Sequence, residues 1–497
     1  QTSLETGKVV FNINSGSTFN YSGSVAQTIP ASISNSGSGG TSNSIALNYG
    51  NLTINNTNAS GATAGGNLTV NGALAINNGG KFVGGSHTHT VAGNLTNDGT
   101  YTLSGTTINL TGNFTNNGTA SLTNSTNNIN GSWTNNATFN SSNSTIDVAV
   151  NWTNNNTFTS TSSTVNFDGN GAQALGGTTV TNFNNVAIGK TAGTLSVNID
   201  TNVSGDLTFT VSGGTLSVNT GKTLTVVDTI TLNNDSNSSV ACTITGSGTL
   251  NANSVLVGPP VTPDAFTFTN TTKLTSSISN FNITNNLAIN SYGLILSINN
   301  ATFELQSGIV SVNGVITTSN GISSNASTFS MASSGSQNRL LILTNASPFS
   351  LSGTGSSPMT FTGTNAVVEY LGSVPQTALG TTYKTLKINN STTGVTLGGN
   401  ATATTLDLTD GLLTTGSNVM TIASGGTILN ASSTTYVNGK LARVLTNTND
   451  FTYPVGKGGV YSTVVFTYAA TPGTKTVTIE QFETGSPFSS PSISTTT

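Results

Sequence analysis

The chain has 497 residues but only 12 Lys+Arg against 16 Asp+Glu, a net charge of −4, while Thr (92), Asn (67), Ser (64) and Gly (57) fill more than half of it. So few strong helix formers exclude a coiled coil or helical bundle. Apolar runs of only a handful of residues exclude a membrane-spanning helix, and dispersed cations leave no electrostatic footprint for nucleic acid.

The chain opens at Gln1, without an initiator Met or an apolar leader, which reads as a mature chain whose signal peptide has been removed. A first strand is expected at Lys8-Val9-Val10-Phe11-Asn12-Ile13. An end strand of a stacked sheet leaves backbone unpaired, so Val9, Val10, Phe11 and Ile13 are candidate subunit-junction residues. His87-Thr88-His89 puts two imidazoles on one strand face, but metal binding needs a third ligand, and the segment reads as a surface loop.

From Gly93 the sequence repeats every 19 residues, as GNLTNDGTY, GNFTNNGTA, GSWTNNATF and VNWTNNNTF. Leu95, Phe114, Trp133 and Trp152 share one column, and Asn97, Asn116, Asn135 and Asn154 another. A fixed period near 20 built from strand formers is the signature of a solenoid. Apolar columns at Tyr101/Ala120/Phe139/Phe158 and Ile108/Asn127/Ile146/Val165 complete the expected interior. The Trp column reads as core packing, with an exposed sugar-stacking platform as the alternative. Asn at a fixed corner can bond the amides above and below it. Asn71-Gly72, Asn78-Gly79, Asn117-Gly118, Asn130-Gly131, Asn313-Gly314 and Asn320-Gly321 are expected corners because both residue types tolerate left-handed backbone.

A longer repeat, aromatic-x-Gly-x-x-x-Gln, occurs at Tyr21/Gly23/Gln27, Phe167/Gly169/Gln173 and Tyr370/Gly372/Gln376. Each is followed by a short apolar strand, as in Asn51-Leu52-Thr53-Ile54-Asn55-Asn56 and Thr385-Leu386-Lys387-Ile388-Asn389-Asn390. These starts predict three tandem blocks, near 1–160, 161–365 and 366–440. Gly169-Asn170-Gly171-Ala172-Gln173-Ala174 resembles a dinucleotide fingerprint only superficially, because no helix follows it. The lone cysteine, Cys242, alternates with apolar neighbours and reads as a buried small hydrophobe. Pro259, Pro260 and Pro263 mark an expected loop. Charges concentrate after Gly439 and alternation becomes simpler, so residues 441–485 read as a cap or small antiparallel module, with a Ser/Thr/Pro-rich tail at 486–497.

The fold class expected is therefore all-β, a parallel β-helix of coils of about 19–22 residues, or about 20–23 coils over residues 10–440. The three Gln blocks, with Tyr436-Val437-Asn438-Gly439-Lys440-Leu441-Ala442-Arg443 leading to Phe451-Thr452-Tyr453-Pro454-Val455-Gly456-Lys457, resemble large secreted β-solenoid, adhesin-like surface proteins of Bacteroidetes-type bacteria. That resemblance implies export by the type IX system and an extracellular or cell-surface location.

Reactive groups are sparse. Asp407 and Asp410, with Lys384 and Lys387 one coil earlier, are the nearest approach to an acid/base site, and Asp206 and Asp228 could stack on adjacent coils. Solvated corners explain both better. Neither a catalytic site, a metal site nor a cofactor is expected. The leading expectation is a non-catalytic structural or adhesive surface protein that self-associates, with a fibre as one form of that assembly and surface glycans as further partners. A glycan-binding or polysaccharide-degrading β-helix is the alternative. Ice binding through ranks such as Thr208/Thr210 with Thr229/Thr231, or Thr223/Thr225 with Thr243/Thr245, is the minor one.

Overall fold

The computed structural model describes residues 16–36, 42–211, 213–232, 242–257, 272–276, 280–283, 287–291, 301–305, 308–312, 314–320, 328–331, 338–351, 359–392, 394–482 and 495–496. Among the described residues there is no helix; parallel strands stack as the coils of a β-solenoid and give way to an antiparallel module near the C-terminus. The chain divides into two compact units, Gln1–Thr208 and Phe209–Thr497. Val9, Val10, Phe11 and Ile13 lie outside the described residues, as do Asn313, Gly321 and the proline segment 258–263.

In the first unit each 19-residue coil lays down three short strands. Leu95–Asn97, Phe114–Asn116, Trp133–Asn135 and Trp152–Asn154 pair in parallel and in register, so Leu95, Phe114, Trp133 and Trp152 face one another as expected. A second wall holds Thr100–Ser104, Thr119–Thr123, Thr138–Ser142 and Phe158–Thr161. A third holds Thr107–Leu110, Thr126–Ile129, Thr145–Val148 and Thr164–Phe167. Alternate residues point inward, and each coil contributes too little apolar surface to fold alone. Stacking supplies the rest: Trp133 and Trp152 are fully buried with ring centroids 3.6 Å apart, and Phe139 and Phe158 meet them edge-on. The Trp column is therefore core, and the sugar-platform alternative falls.

Corners follow the same period. Gly105, Asn124, Asn143 and Ser162 stand 19 residues apart, all with φ between 47° and 64°. That is left-handed backbone, which Gly and Asn accept more readily than Ser.

The second unit departs from the expected coil length. Thr215 pairs with Thr243, Cys242 with Leu274, Thr272 with Ala301 and Gly308 with Arg339, so these coils run to about 28–32 residues. They shorten again from Tyr370, which pairs with Ile388. The coils accordingly number about 15, fewer than the period near 19–22 implied. The reason is that strand positions keep register while the connections between them lengthen, which stacked coils tolerate because only the strands carry the ladder. One Thr-x-Thr rank is corrected by the same shift: Thr223 and Thr225 lie against Thr249 and Asn251, whereas Thr243 and Thr245 lie against Thr215 and Ser217.

At the end of this unit Val437–Leu445 still pairs in parallel with Leu413–Leu429. Its other side takes Lys475–Ile479 in antiparallel fashion, and Phe451–Lys457 forms an antiparallel hairpin with Val460–Phe466. The change of pairing after Gly439 matches the change of composition there.

Candidate functional surfaces

Three sets of polar side chains run along the regular coils, and two of them are Asn ladders. Inside, Asn97 Nδ2 donates to Asn116 Oδ1 (2.7 Å), Asn116 to Asn135 (2.8 Å) and Asn135 to Asn154 (2.9 Å). Each of the three donors also reaches the carbonyl of Thr119, Thr138 or Thr157. All four Asn are fully buried, and the ladder pairs their amides in an apolar interior except at its end, where Asn154 Nδ2 has no partner among the described residues. Outside, Asn155 donates to Asn136 (2.8 Å), Asn136 to Asn117 (2.7 Å) and Asn117 to Asp98 (2.7 Å). The third set is at the corner, where the backbone N–H groups of Thr106, Ser125 and Ser144 donate to the hydroxyls of Ser125, Ser144 and Ser163. Sequence reasoning found the first column and missed the other two, although their 19-residue spacing was there to be read.

The Gln motif proves to be a clamp between coils. Gln376 Nε2 donates to the carbonyls of Leu343 (2.9 Å) and Asn345 (3.1 Å) in the preceding coil, while its Oε1 accepts from Asn390 Nδ2 (2.9 Å) in the following one. Gln173 Nε2 likewise holds the carbonyls of Val148 and Val150, both at 2.7 Å. Its Oε1 accepts from Lys190 Nζ (2.7 Å) instead of an Asn amide. Gln27 Oε1 accepts from Asn56 Nδ2 (2.7 Å). The motif aromatics are also equivalent: Tyr21, Phe167 and Tyr370 pair with Ile54, Ile188 and Ile388. Tyr21 and Tyr370 place their hydroxyls 3.2 Å from those of Tyr49 and Tyr383, and Phe167 meets Phe183 ring to edge. The last Asn of each L-x-I-N-N strand is thus the partner of the Gln, and Lys190 stands in that role once.

Ionisable groups are held by the stack. Lys190 is fully buried, donates to the carbonyls of Gly169 and Gly171 as well, and has its pKa pushed down by burial, with Asp168 opposing the shift. Lys387 makes an ion pair with Glu369 (3.0 Å), which also accepts from Asn389. Asp407, in register with Lys387, accepts from Thr409 and Asn430, and Asp410 is exposed at the end of its strand. Glu369, Lys387 and Asp407 therefore form a charge stack across three coils. Asp206 and Asp228 fall in different units.

His89 corrects the surface-loop expectation. It is buried in the strand Thr88–Val91, accepts from the Leu68 N–H at Nδ1 (3.1 Å) and donates from Nε2 to the Gly84 carbonyl (2.8 Å). Both ring nitrogens are committed, and burial holds its pKa below the usual histidine value. Cys242 is buried as expected, its thiol pushed up to about 11 by that burial. Among the described residues no three His, Cys, Asp or Glu side chains are grouped to hold a metal ion, and no helix is long and apolar enough to cross a membrane. A shallow cleft of about 180 Å³, with Pro348, Phe349, Thr377 and Gly380 in its lining, carries no ionisable side chain among the residues that line it.

Comparison with known proteins adds nothing to this geometry: no family model, no curated protein and no solved structure matches the chain.

Proposed function

We propose that the chain works as a non-catalytic extracellular structural element, adhesive through long, uncharged, hydrogen-bonding walls. The observation that carries this reading is the use made of its polar side chains. Asn, Ser and Gln are bonded to the coils on either side of them and Lys190 to the coil before it, so they hold the solenoid together. Catalysis needs polar groups left poised for a substrate, and the motif residues are already spent on one another. The composition and the resemblance to secreted adhesin-like solenoids support an extracellular, surface-attached setting and export by the type IX route. The partners are further copies of the chain and neutral surface glycans, met by amide and hydroxyl groups.

Binding through such walls responds little to ionic strength, unlike contacts between charged patches. The test measures adhesion of the purified chain to glycan-coated and bare surfaces between about 20 and 500 mM salt, beside reducing-end assays on a polysaccharide panel. Salt-independent adhesion without turnover is the expected result. Turnover abolished by Asp407→Asn or Asp410→Asn would make the protein an enzyme.

A further inference from the structure

The seam between Thr69–Val70 and Thr88–Val91 is closed differently from the seam that follows it. Thr107 N–H bonds directly to the His87 carbonyl of the coil before it. Its counterpart Thr88 N–H bonds instead to the Asn67 side chain (3.0 Å), and the Leu68 N–H bonds to the His89 ring at Nδ1 (3.1 Å). Two side chains thus complete a ladder to which the backbone adds Thr90 N–H on the Leu68 carbonyl and Ala92 N–H on the Val70 carbonyl. His89 points inward, 1% exposed, in the column that continues through Ile108, Asn127, Ile146 and Val165.

Which proton the ring carries follows from its partners. Nδ1 takes the Leu68 N–H and so has no proton; Nε2 faces the Gly84 carbonyl at 2.8 Å and so has one. The bonded ring is therefore neutral. A second proton would go onto Nδ1, aimed at the Leu68 N–H, and an acceptor would become a donor facing a donor. The surroundings do not favour that charge. His87, its ring centroid 6.2 Å away, opposes a second positive ring. Lys81, beside the Phe82 ring that packs on His89, sends its Nζ to the Ala59 carbonyl, and Tyr101 stacks on Phe82. Thr69–Val70 and Thr107–Leu110, on either side, carry no ionisable side chain, and Asp98 is exposed in the outer Asn ladder.

We propose that His89 is an acid-opened latch: on taking a second proton it releases the Leu68 N–H and opens the seam between these two coils, while the stack beyond stays closed. The direction follows from linkage. Burial holds the ring's pKa below the usual histidine value, so the latch stabilises the seam fully above that value and is lost as pH falls through the folded one. In the open seam the ring is solvated and takes its proton at the usual value, so the open population rises about tenfold per pH unit below about 6.5. The later members of the column, Ile108, Asn127, Ile146 and Val165, do not titrate, so their seams lack the response. The device is independent of what the outer walls bind.

The test is amide hydrogen exchange of the full chain, read by mass spectrometry from about pH 7.5 to 4.5 and corrected for the intrinsic effect of pH on exchange. Opening of the segment that carries Leu68 is expected to rise about tenfold per pH unit at the acid end, while the seam of Asn116 and Asn135 stays flat. His89→Asn keeps an acceptor beside Leu68 and uses the residue that the same column buries at Asn127, so it should abolish the rise. His87→Asn should keep it. A flat Leu68 segment in the parent, an equal rise at both seams, or an unchanged rise in His89→Asn overturns the proposal. A second measurement needs no variant: nitrogen NMR of histidine-labelled parent, which has only two imidazoles. One ring is expected to carry its proton on Nε2 at neutral pH and to gain the second in step with the opening at Leu68. A buried ring protonated on Nδ1 at neutral pH, or one that charges while Leu68 stays protected, overturns the latch however His89→Asn behaves.

Discussion

Between Gly93 and Phe167 the coil length is constant, and side chains meet their own kind: Asn on Asn, Trp on Trp, Ser hydroxyl under Ser N–H. Between Thr215 and Tyr370 the coils are longer and uneven, yet inward residues still stack, as with Phe303 on Phe329 at 5.3 Å. The contrast separates two requirements. Strand register needs only that the strands recur in order, whatever lies between them. A side-chain ladder also needs every corner to have the same number of residues, because an amide reaches only one coil spacing.

The largest expected effect comes from attacking the constant region's core. Trp133→Asp buries an unpaired charge and costs several kcal/mol. Limited proteolysis should open the chain near residue 133, and a digest identical to the parent's would place that ring at the surface. Next is a Gly-Ser insertion after Asn143, which takes the Ser144 rung out of step and removes two or three buried bonds, about 2–3 kcal/mol in a urea titration. The same insertion between residues 331 and 338 should cost far less. Equal costs would erase the distinction between ladder and register. Asn116→Ala removes the two ladder bonds to Asn97 and Asn135 and the one to the Thr138 carbonyl without altering length, and about 2 kcal/mol is expected from the same titration.

A smaller effect is set by pH. Asp147 stands in a wall position between Asn128 and Asn166, and burial raises its pKa, with Asp168 adding to the shift and Asn166 opposing it. A carboxyl whose folded pKa is raised stabilises the fold fully below its ordinary value, and that contribution disappears as pH rises through the folded value. Asp147→Asn should therefore melt higher than the parent at pH 7, and the gap should close below about pH 4. Smallest is Ser162→Gly, which relieves a left-handed serine and should gain about 0.5 kcal/mol, read as a small rise in Tm.

How much of this was legible follows from how far each signal reaches along the chain. The Leu95–Trp152 and Asn97–Asn154 columns could be read because four coils of one length repeat them. The Gln motif was visible, but its purpose was not: Asn390 and Lys190 act from the next coil, and no local pattern ties them to Gln376 or Gln173. Uneven connections hid the long coils of the second unit, since a period search finds nothing when spacing varies. His89 was misread because alternation gives two faces without saying which is inside; the Phe82 ring beside it decides that. The left-handed corners at Asn124 and Asn143 escaped a search for Asn-Gly pairs because neither is followed by Gly.

The two Asn ladders run in opposite senses. The inner amides donate toward the C-terminus, from Asn97 to Asn154, and the outer ones toward the N-terminus, from Asn155 to Asp98. Each added coil therefore brings one amide dipole pointing each way, on a backbone whose strand dipoles already alternate. An α-helix accumulates a macrodipole, with partial charges at its two ends that need caps or counter-charges. These two ladders cancel coil by coil, so however many coils they span they add no net dipole along the stack.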